Sequence, residues 1–459
     1  MEPVFARHTH RGNALILAVM ALSLAVWPSL ASASESDAIA ALRAQLVALQ
    51  QQLDRLEAHQ ADAERARNAA AQRVDKIEAA QATQGDPIKV KWEPAPSISS
   101  PDGKFEMNIR GRIFVDSAFT SDKDGSPNVN STELRAARIG VEGKAWKDIK
   151  YKFEADFAGN ETTVKDAYLQ WHGPLKVTVG QFKTPNSLEE QTSSRYISFM
   201  ERAAFTDAFG FARRIGLGLG TSGKIWSATV GVYRGSAGSA NKDEGSTEAG
   251  RVTVGPKLGA VQLHLGASFR HRKAGNDQSL FRYRQRPFVH LADRFINTGH
   301  IAGKDDFYGV EAAALLGPFS LQGEFGWLNA DVGALAPSDP TFSGGYVSAT
   351  WFLTGEHRPY HASKGAFGRP KVKNPVFEGG FGAFQLAVRY DTIDLSDKTF
   401  LGGKQDTYLV GLNWYLNRNT RLVVDYAHSD ITNAFDVAAN GPDGKNNVDA
   451  LNLRAQVDW

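Results

Sequence analysis

From Gly103 to Thr120 the chain alternates strictly. Phe105, Met107, Ile109, Gly111, Ile113, Val115 and Phe119 fall on one face, and Glu106, Asn108, Arg110, Arg112 and Asp116 on the other. A period of two predicts a strand with one apolar and one polar side. The same pattern returns clearly at 138–145, 151–157, 164–171, 175–182, 261–269, 319–327, 346–353, 384–391, 407–415, 420–428 and 448–459. It is weaker at 214–220, 224–234, 249–257 and 305–316. The fold class this predicts is an all-β transmembrane barrel of about 16 antiparallel strands over 103–459, with apolar side chains toward lipid and polar ones toward a wet lumen. Gly173-Pro174 and Gly317-Pro318 read as tight periplasmic turns, and 121–132, 184–212, 235–247, 273–303, 329–344 and 354–381 as outer loops. The strand ending on Trp459 has the form of a barrel assembly signal. Trp171, Trp327, Trp351 and Trp414 sit near strand ends on the apolar side, as an interfacial girdle requires.

Ahead of the barrel the periodicity changes. Residues 1–33 have a basic start, an apolar run from Leu15 to Val26 and Ala31-Ser32-Ala33, the form of a cleaved signal peptide. Over 34–84, Ile39, Leu42, Leu46, Leu49, Leu53, Leu56, Gln60, Ala63, Arg67, Ala70, Val74 and Ile77 follow a 3-4 spacing. This heptad repeat predicts a periplasmic coiled-coil helix, weakened at Gln60 and Arg67. It would serve trimerisation or a peptidoglycan contact. Residues 85–102 read as a linker in which Pro87, Pro94, Pro96 and Pro101 oppose regular structure.

Composition narrows the function classes. The 459 residues carry no cysteine, which excludes thiolate metal sites and cysteine nucleophiles. Histidines are scattered, with no Gly-x-Ser-x-Gly elbow and no HExxH pair, so neither an enzyme nor a metal site or other cofactor is expected. Net charge is +2 overall, but 87–459 carry +4. The inward, even-numbered positions hold Arg110, Arg112, Arg138, Lys144, Lys150 and Lys152, and later Arg214, Arg270 and Arg272. Tyr168 and Phe114 are inward aromatics. Focused inside a low-dielectric wall, this basic excess favours anions. Segment 184–212 is too long for a plain connection and is amphipathic. Folded inward it would narrow the pore and present Ser193, Ser194, Arg195 and Arg202, donors suited to oxyanions. FRYRQR at 281–286 reads as an anion-collecting mouth or a lipopolysaccharide contact, and nucleic acid is not an expected partner.

VGQFKTPNSLEEQTSSRYISFMERAAFTDAF (179–209) and RRIGLG (213–218) resemble the phosphate- and polyphosphate-selective outer-membrane porins of the O and P type. So do ELRAARIGVEGKAWKDIKYKFEADF (133–157), FRYRQRPFVH (281–290), LTGEHRPY (353–360) and GLNWYLN (411–417). The resemblance implies a sixteen-stranded barrel, a homotrimer in outer-membrane lipid, and passive conduction of inorganic anions, phosphate or polyphosphate. It also implies a constriction in which Arg110 and Arg112 match strand arginines, Ser193, Ser194 and Arg202 match the inward loop, and Arg135 matches the first of an arginine pair. The second member of that pair is Ala136 here, and Glu189 and Glu190 precede the Ser-Ser pair. Both departures lower the positive charge. The readings left open are a general anion or other-solute porin, and a structural barrel tethering the coiled coil.

Overall fold

The computed structural model describes residues 35–83, 88–93, 95–122, 128–276, 278–432 and 444–459. The expected signal peptide lies outside them. The chain divides into two units, 1–86 and 87–459.

In the first unit, α1 runs from Glu35 to Thr83, 49 residues without a break at Gln60 or Arg67. The segment has neither glycine nor proline and is rich in alanine, leucine, glutamine and arginine, all strong helix formers. Its seam is bare in the single chain: Leu42, Leu46, Leu49 and Leu53 are all exposed. No described helix is long and apolar enough to cross a membrane.

In the second unit sixteen strands close into an antiparallel barrel. They are β1 (Glu106–Asp122), β2 (Asn130–Ala145), β3 (Ile149–Asp156), β4 (Thr163–His172), β5 (Lys176–Lys183), β6 (Arg213–Ser222), β7 (Trp226–Tyr233) and β8 (Ser246–Val254). The circuit continues with β9 (Val261–Lys273), β10 (Lys304–Leu316), β11 (Phe319–Asp331), β12 (Thr341–Phe352), β13 (Ala383–Asp397), β14 (Phe400–Tyr415), β15 (Thr420–Thr432) and β16 (Lys445–Asp458). Each pairs with the next, and β16 returns to β1 from Val448↔Asp122 to Asp458↔Arg112. Closure leaves the barrel without the free edges of an open sheet. Every predicted strand is present, and most run a few residues further into the loops than the alternation suggests.

The outer surface is apolar. Leu265, Val310, Leu321, Val347, Val388, Val410, Val424 and Leu453 are exposed, while their neighbours along each strand point inward. At the short-turn end Trp351 stacks on Phe319 and Trp414 on Phe384, with centroids 5.5 and 5.6 Å apart.

Three sequence readings need correction. Within the linker, Lys89–Lys91 and Ser97–Ser99 form a small hairpin, and Ser97–Ser99 pairs with β1. The prolines fall beside these strands rather than within them. Second, 353–382 is not an outer loop. It joins β12 to β13 at the end that carries the short turns 146–148 and 173–175, because an even number of strands returns the chain to its starting side. Third, the lumen is not polar throughout. Phe199, Phe205 and Phe209 from 184–212 pack with Tyr283 and Phe288 from 274–303 against inward Phe307, Leu328, Phe342 and Ile393 of the wall. The main cavity therefore lies toward β1–β8 and the adjoining β16.

Candidate functional site

Segment 184–212 leaves β5, crosses the barrel and returns to β6. Two short helices, α2 (Leu188–Gln191) and α3 (Ala204–Ala208), interrupt it. The opposite wall holds its backbone. Glu324 of β11 accepts from the amides of Leu188 and Glu189, both at 2.8 Å. Asp425 of β15 accepts from Met200 N at 2.6 Å, and Asp391 of β13 from Ala204 N at 3.2 Å. Arg421 and Asn413 donate to the carbonyls of Ile197 and Ser198 at 2.7 and 2.9 Å. Each of these bonds takes up a backbone group of the loop that burial would otherwise leave unsatisfied.

Two other segments fold in. From the loop end, 274–303 brings Arg294 to Asp207 at 3.0 Å and His290 to Glu133 at 2.9 Å. From the turn end, 353–382 brings Arg358 to Gln322 at 2.5 Å and Gly365 O to Arg251 at 2.7 Å. The two ends meet where Phe367 N donates to Thr192 Oγ1 at 3.3 Å.

Between these segments and β1–β8 lies a cavity of about 810 Å³. Its lining includes fifteen lysines and arginines and four carboxylates. Arg112 reaches it between Ser194 Oγ and Glu154, 2.9 Å from each. Arg138 bonds Asp156 at 2.8 Å and Glu154 at 3.2 Å. Lys152 and Arg213 share Asp166, each at 2.7 Å. The carboxylates thus fix the directions of the cations without cancelling their excess. Two bulges add to it. Phe114 pairs with Ala136 and Val115 with Leu134, so Arg135 is the extra residue in β2 and turns inward beside Ala136. A second register shift at Glu154/Ala155 does the same for Lys165 in β4. An added residue breaks the alternation and re-aims a side chain.

Of the residues singled out from sequence, Arg112, Arg135, Arg138, Lys152, Ser193, Ser194, Arg195 and Arg202 line this cavity. Arg110 pairs with Glu142 and Lys144 with Glu106, both nearer the turn end and outside the cavity. Lys150 also stands outside it, at the start of β3. Arg214, Arg270 and Arg272 point inward but do not line the cavity. Arg270 and Arg272 close on Asp305, beneath Tyr283 of 274–303. Arg214 donates to Arg234 O. Lining residues that sequence reading did not single out include Lys183, Arg213, Arg294, Lys364 and Arg454, while Arg286 belongs to the FRYRQR stretch read as an anion-collecting mouth. Arg454 was legible by parity, since it sits between outward Leu453 and Ala455.

In the loop, Glu190 contacts Lys183 at 3.1 Å and Arg202 at 3.1 Å, and Glu201 contacts Arg135 at 3.4 Å. Burial pushes both carboxyls up, but Arg202 and Lys183 around Glu190, and Arg135 and Arg454 around Glu201, outweigh it and hold both below the ordinary value of 4.5. Among the described residues no group of histidines and carboxylates is arranged to hold a metal.

Residues 107–459 match the family model described as phosphate-selective porin O and P. An uncharacterised protein of Caulobacter vibrioides is 33% identical over 480 residues, 97% of this chain and 96% of that one. Porin O of Pseudomonas aeruginosa is 25% identical over 391 residues, 75% of this chain and 87% of that one. In fold, the outer membrane channel DcaP of Acinetobacter baumannii matches with a TM-score of 0.50 at 14% identity, over 79% of this chain and 99% of that one. With a closed barrel, an inward-folded loop and a polar cavity, the chain belongs to the phosphate-selective porin O and P family of the outer membrane, a family of channels.

Proposed function

We propose that this porin conducts small anions passively, with phosphate or polyphosphate as the substrate class. The observation that carries the reading is the fifteen-to-four excess of cations around the cavity. In a narrow lumen such a field draws anions in, and guanidinium and hydroxyl donors at Arg112, Ser194 and Arg202 replace part of their hydration. Arg284, Arg286 and Arg294 of 274–303 form the collecting mouth. A general anion porin is the second reading, favoured by Ala136 and Glu190 at positions where the family resemblance implies cations. An open cavity of about 810 Å³ speaks against a barrel that is only a tether.

The test is a reversal potential in a KCl gradient across a planar bilayer, followed by phosphate titration. Anion selectivity with phosphate block of the chloride current is expected. Anion selectivity without block leaves the general anion porin, and cation selectivity refutes the reading.

The proposal extends to assembly as a homotrimer with α1 in the periplasm. Leucines at successive seam positions from Leu42 to Leu56 need a partner, and a copy of the same helix supplies one. In a parallel arrangement Arg73 meets Glu78 of the neighbouring helix, while Arg67 faces its own copies and weakens the seam at that level.

A further inference from the structure

Ser187-Leu188-Glu189-Glu190 has the S-x-x-E spacing of a capping box. The structure uses half of it. Ser187 Oγ accepts from Glu190 N at 3.1 Å, as an N-cap does. The Glu190 carboxylate does not return to the cap. It turns to the cavity wall, with Oε1 3.1 Å from Lys183 Nζ and Oε2 3.1 Å from Arg202 Nε. Arg202 is further fixed by the carbonyls of Glu189 and Thr192, at 3.1 and 2.9 Å. Lys183 is held by Glu190 O. Two cations on different elements, one at the end of β5 and one on the returning arm of the loop, thus converge on one pair of oxygens. All three residues line the cavity. Glu189 is different: its carboxylate is turned away to Arg389 and Ala203 N and plays no part in the cavity.

We infer that Lys183 and Arg202 form an oxyanion seat in the permeation path, and that the Glu190 carboxylate occupies it as a tethered ligand. The inference rests on the anion-channel reading above. A carboxylate and a phosphate oxygen pair present the same acceptors to an ammonium and a guanidinium. A free oxyanion therefore gains the full seat only by competing with Glu190. The tether sets an upper limit to residence at this point, which keeps binding weak enough for release. It also makes the seat prefer species of two or more negative charges, which outcompete a single carboxylate.

Glu190→Gln keeps the side-chain shape and the Ser187 cap while removing the competing charge. Phosphate block of the chloride current is expected at about tenfold lower concentration, the effect of one unit charge a few ångströms from the bound anion in a wet lumen. Block events are expected to lengthen. Adding Lys183→Met to Glu190→Gln is expected to return block toward the wild-type value, since half the seat is gone. If Glu190→Gln fails to assemble, Lys183→Met alone reads the same pair: with one cation gone and Glu190 left to Arg202, the reversal potential shifts toward cations. Unchanged or weakened block in an assembled Glu190→Gln channel overturns the tether, and so does an unmoved reversal potential in Lys183→Met. Wild-type cation selectivity would instead sink the anion-channel reading itself, so the two failures are distinguishable.

Discussion

Glu324 holds the outgoing arm of the inward loop, and its removal is the sharpest test of how that arm is kept in place. Its two carboxylate oxygens accept from Leu188 N and Glu189 N at 2.8 Å, and one also accepts from Tyr346 OH at 2.8 Å. Glu324→Gln leaves one oxygen for two converging amides and places an NH₂ against the other. Leaving one buried amide without its acceptor costs about 1–3 kcal/mol. That shifts the ratio of docked to undocked arm by about 5- to 150-fold. The returning arm stays anchored, because Met200, Ala204, Ile197 and Ser198 keep Asp425, Asp391, Arg421 and Asn413. The expected phenotype is therefore a channel of normal assembly with larger, noisier single-channel conductance. Trypsin is expected to cut after Arg195 more readily, since that residue is buried in the docked loop. Conductance, noise and cleavage all equal to wild type would refute the view that Glu324 is what holds this arm.

Glu190 and Glu201 are both held below 4.5, so their contribution to loop docking is complete above that value and lost as pH falls through their folded values. The conductance difference between wild type and a Glu190→Gln, Glu201→Gln double variant is expected to stay constant above 4.5 and to close only as pH falls below it, whereas closure near neutrality would contradict the assignment. Leu49→Asp with Leu53→Asp breaks the seam of α1, and is expected to lower the temperature at which the trimer dissociates on semi-native gels while leaving single-channel conductance unchanged. An unaltered dissociation temperature would argue that α1 does not join the protomers.

The strands were legible because each inward residue is flanked in the chain by outward, mostly apolar neighbours that face lipid. Arg112, Arg138 and Lys152 followed from that parity. Arg135 and Lys165 could not, because a bulge leaves no local mark: by alternation Lys165, between Val164 and Asp166, faces lipid. Segment 353–382 was misread by length alone; counting strands would have put it at the turn end. Arg270 and Arg272 were read correctly as inward, but only the tertiary packing of Tyr283 over Asp305 shows that they are sealed from the cavity. The tether at Glu190 was hidden for a related reason. Sequence spacing assigns that carboxylate to a helix cap, and the two cations that divert it come from residues seven positions earlier and twelve positions later.

The seam between β16 and β1 has a consequence for the order of assembly. Arg454 and Asp116, joined at 2.6 Å inside the barrel, are 338 positions apart in sequence. Gly111 is part of the same join: a β-carbon there would lie 2.1 Å from the Trp459 ring, so the ring lies over the seam where the backbone is bare. Contacts of this sequence separation carry a large loop-closure cost and form slowly. Until they form, β1 and β16 each present an unpaired edge beside an apolar face, the combination most prone to aggregate. Closing this seam is therefore the step that ends the exposure, and whatever shields those two edges during biogenesis decides how much of the chain reaches the membrane.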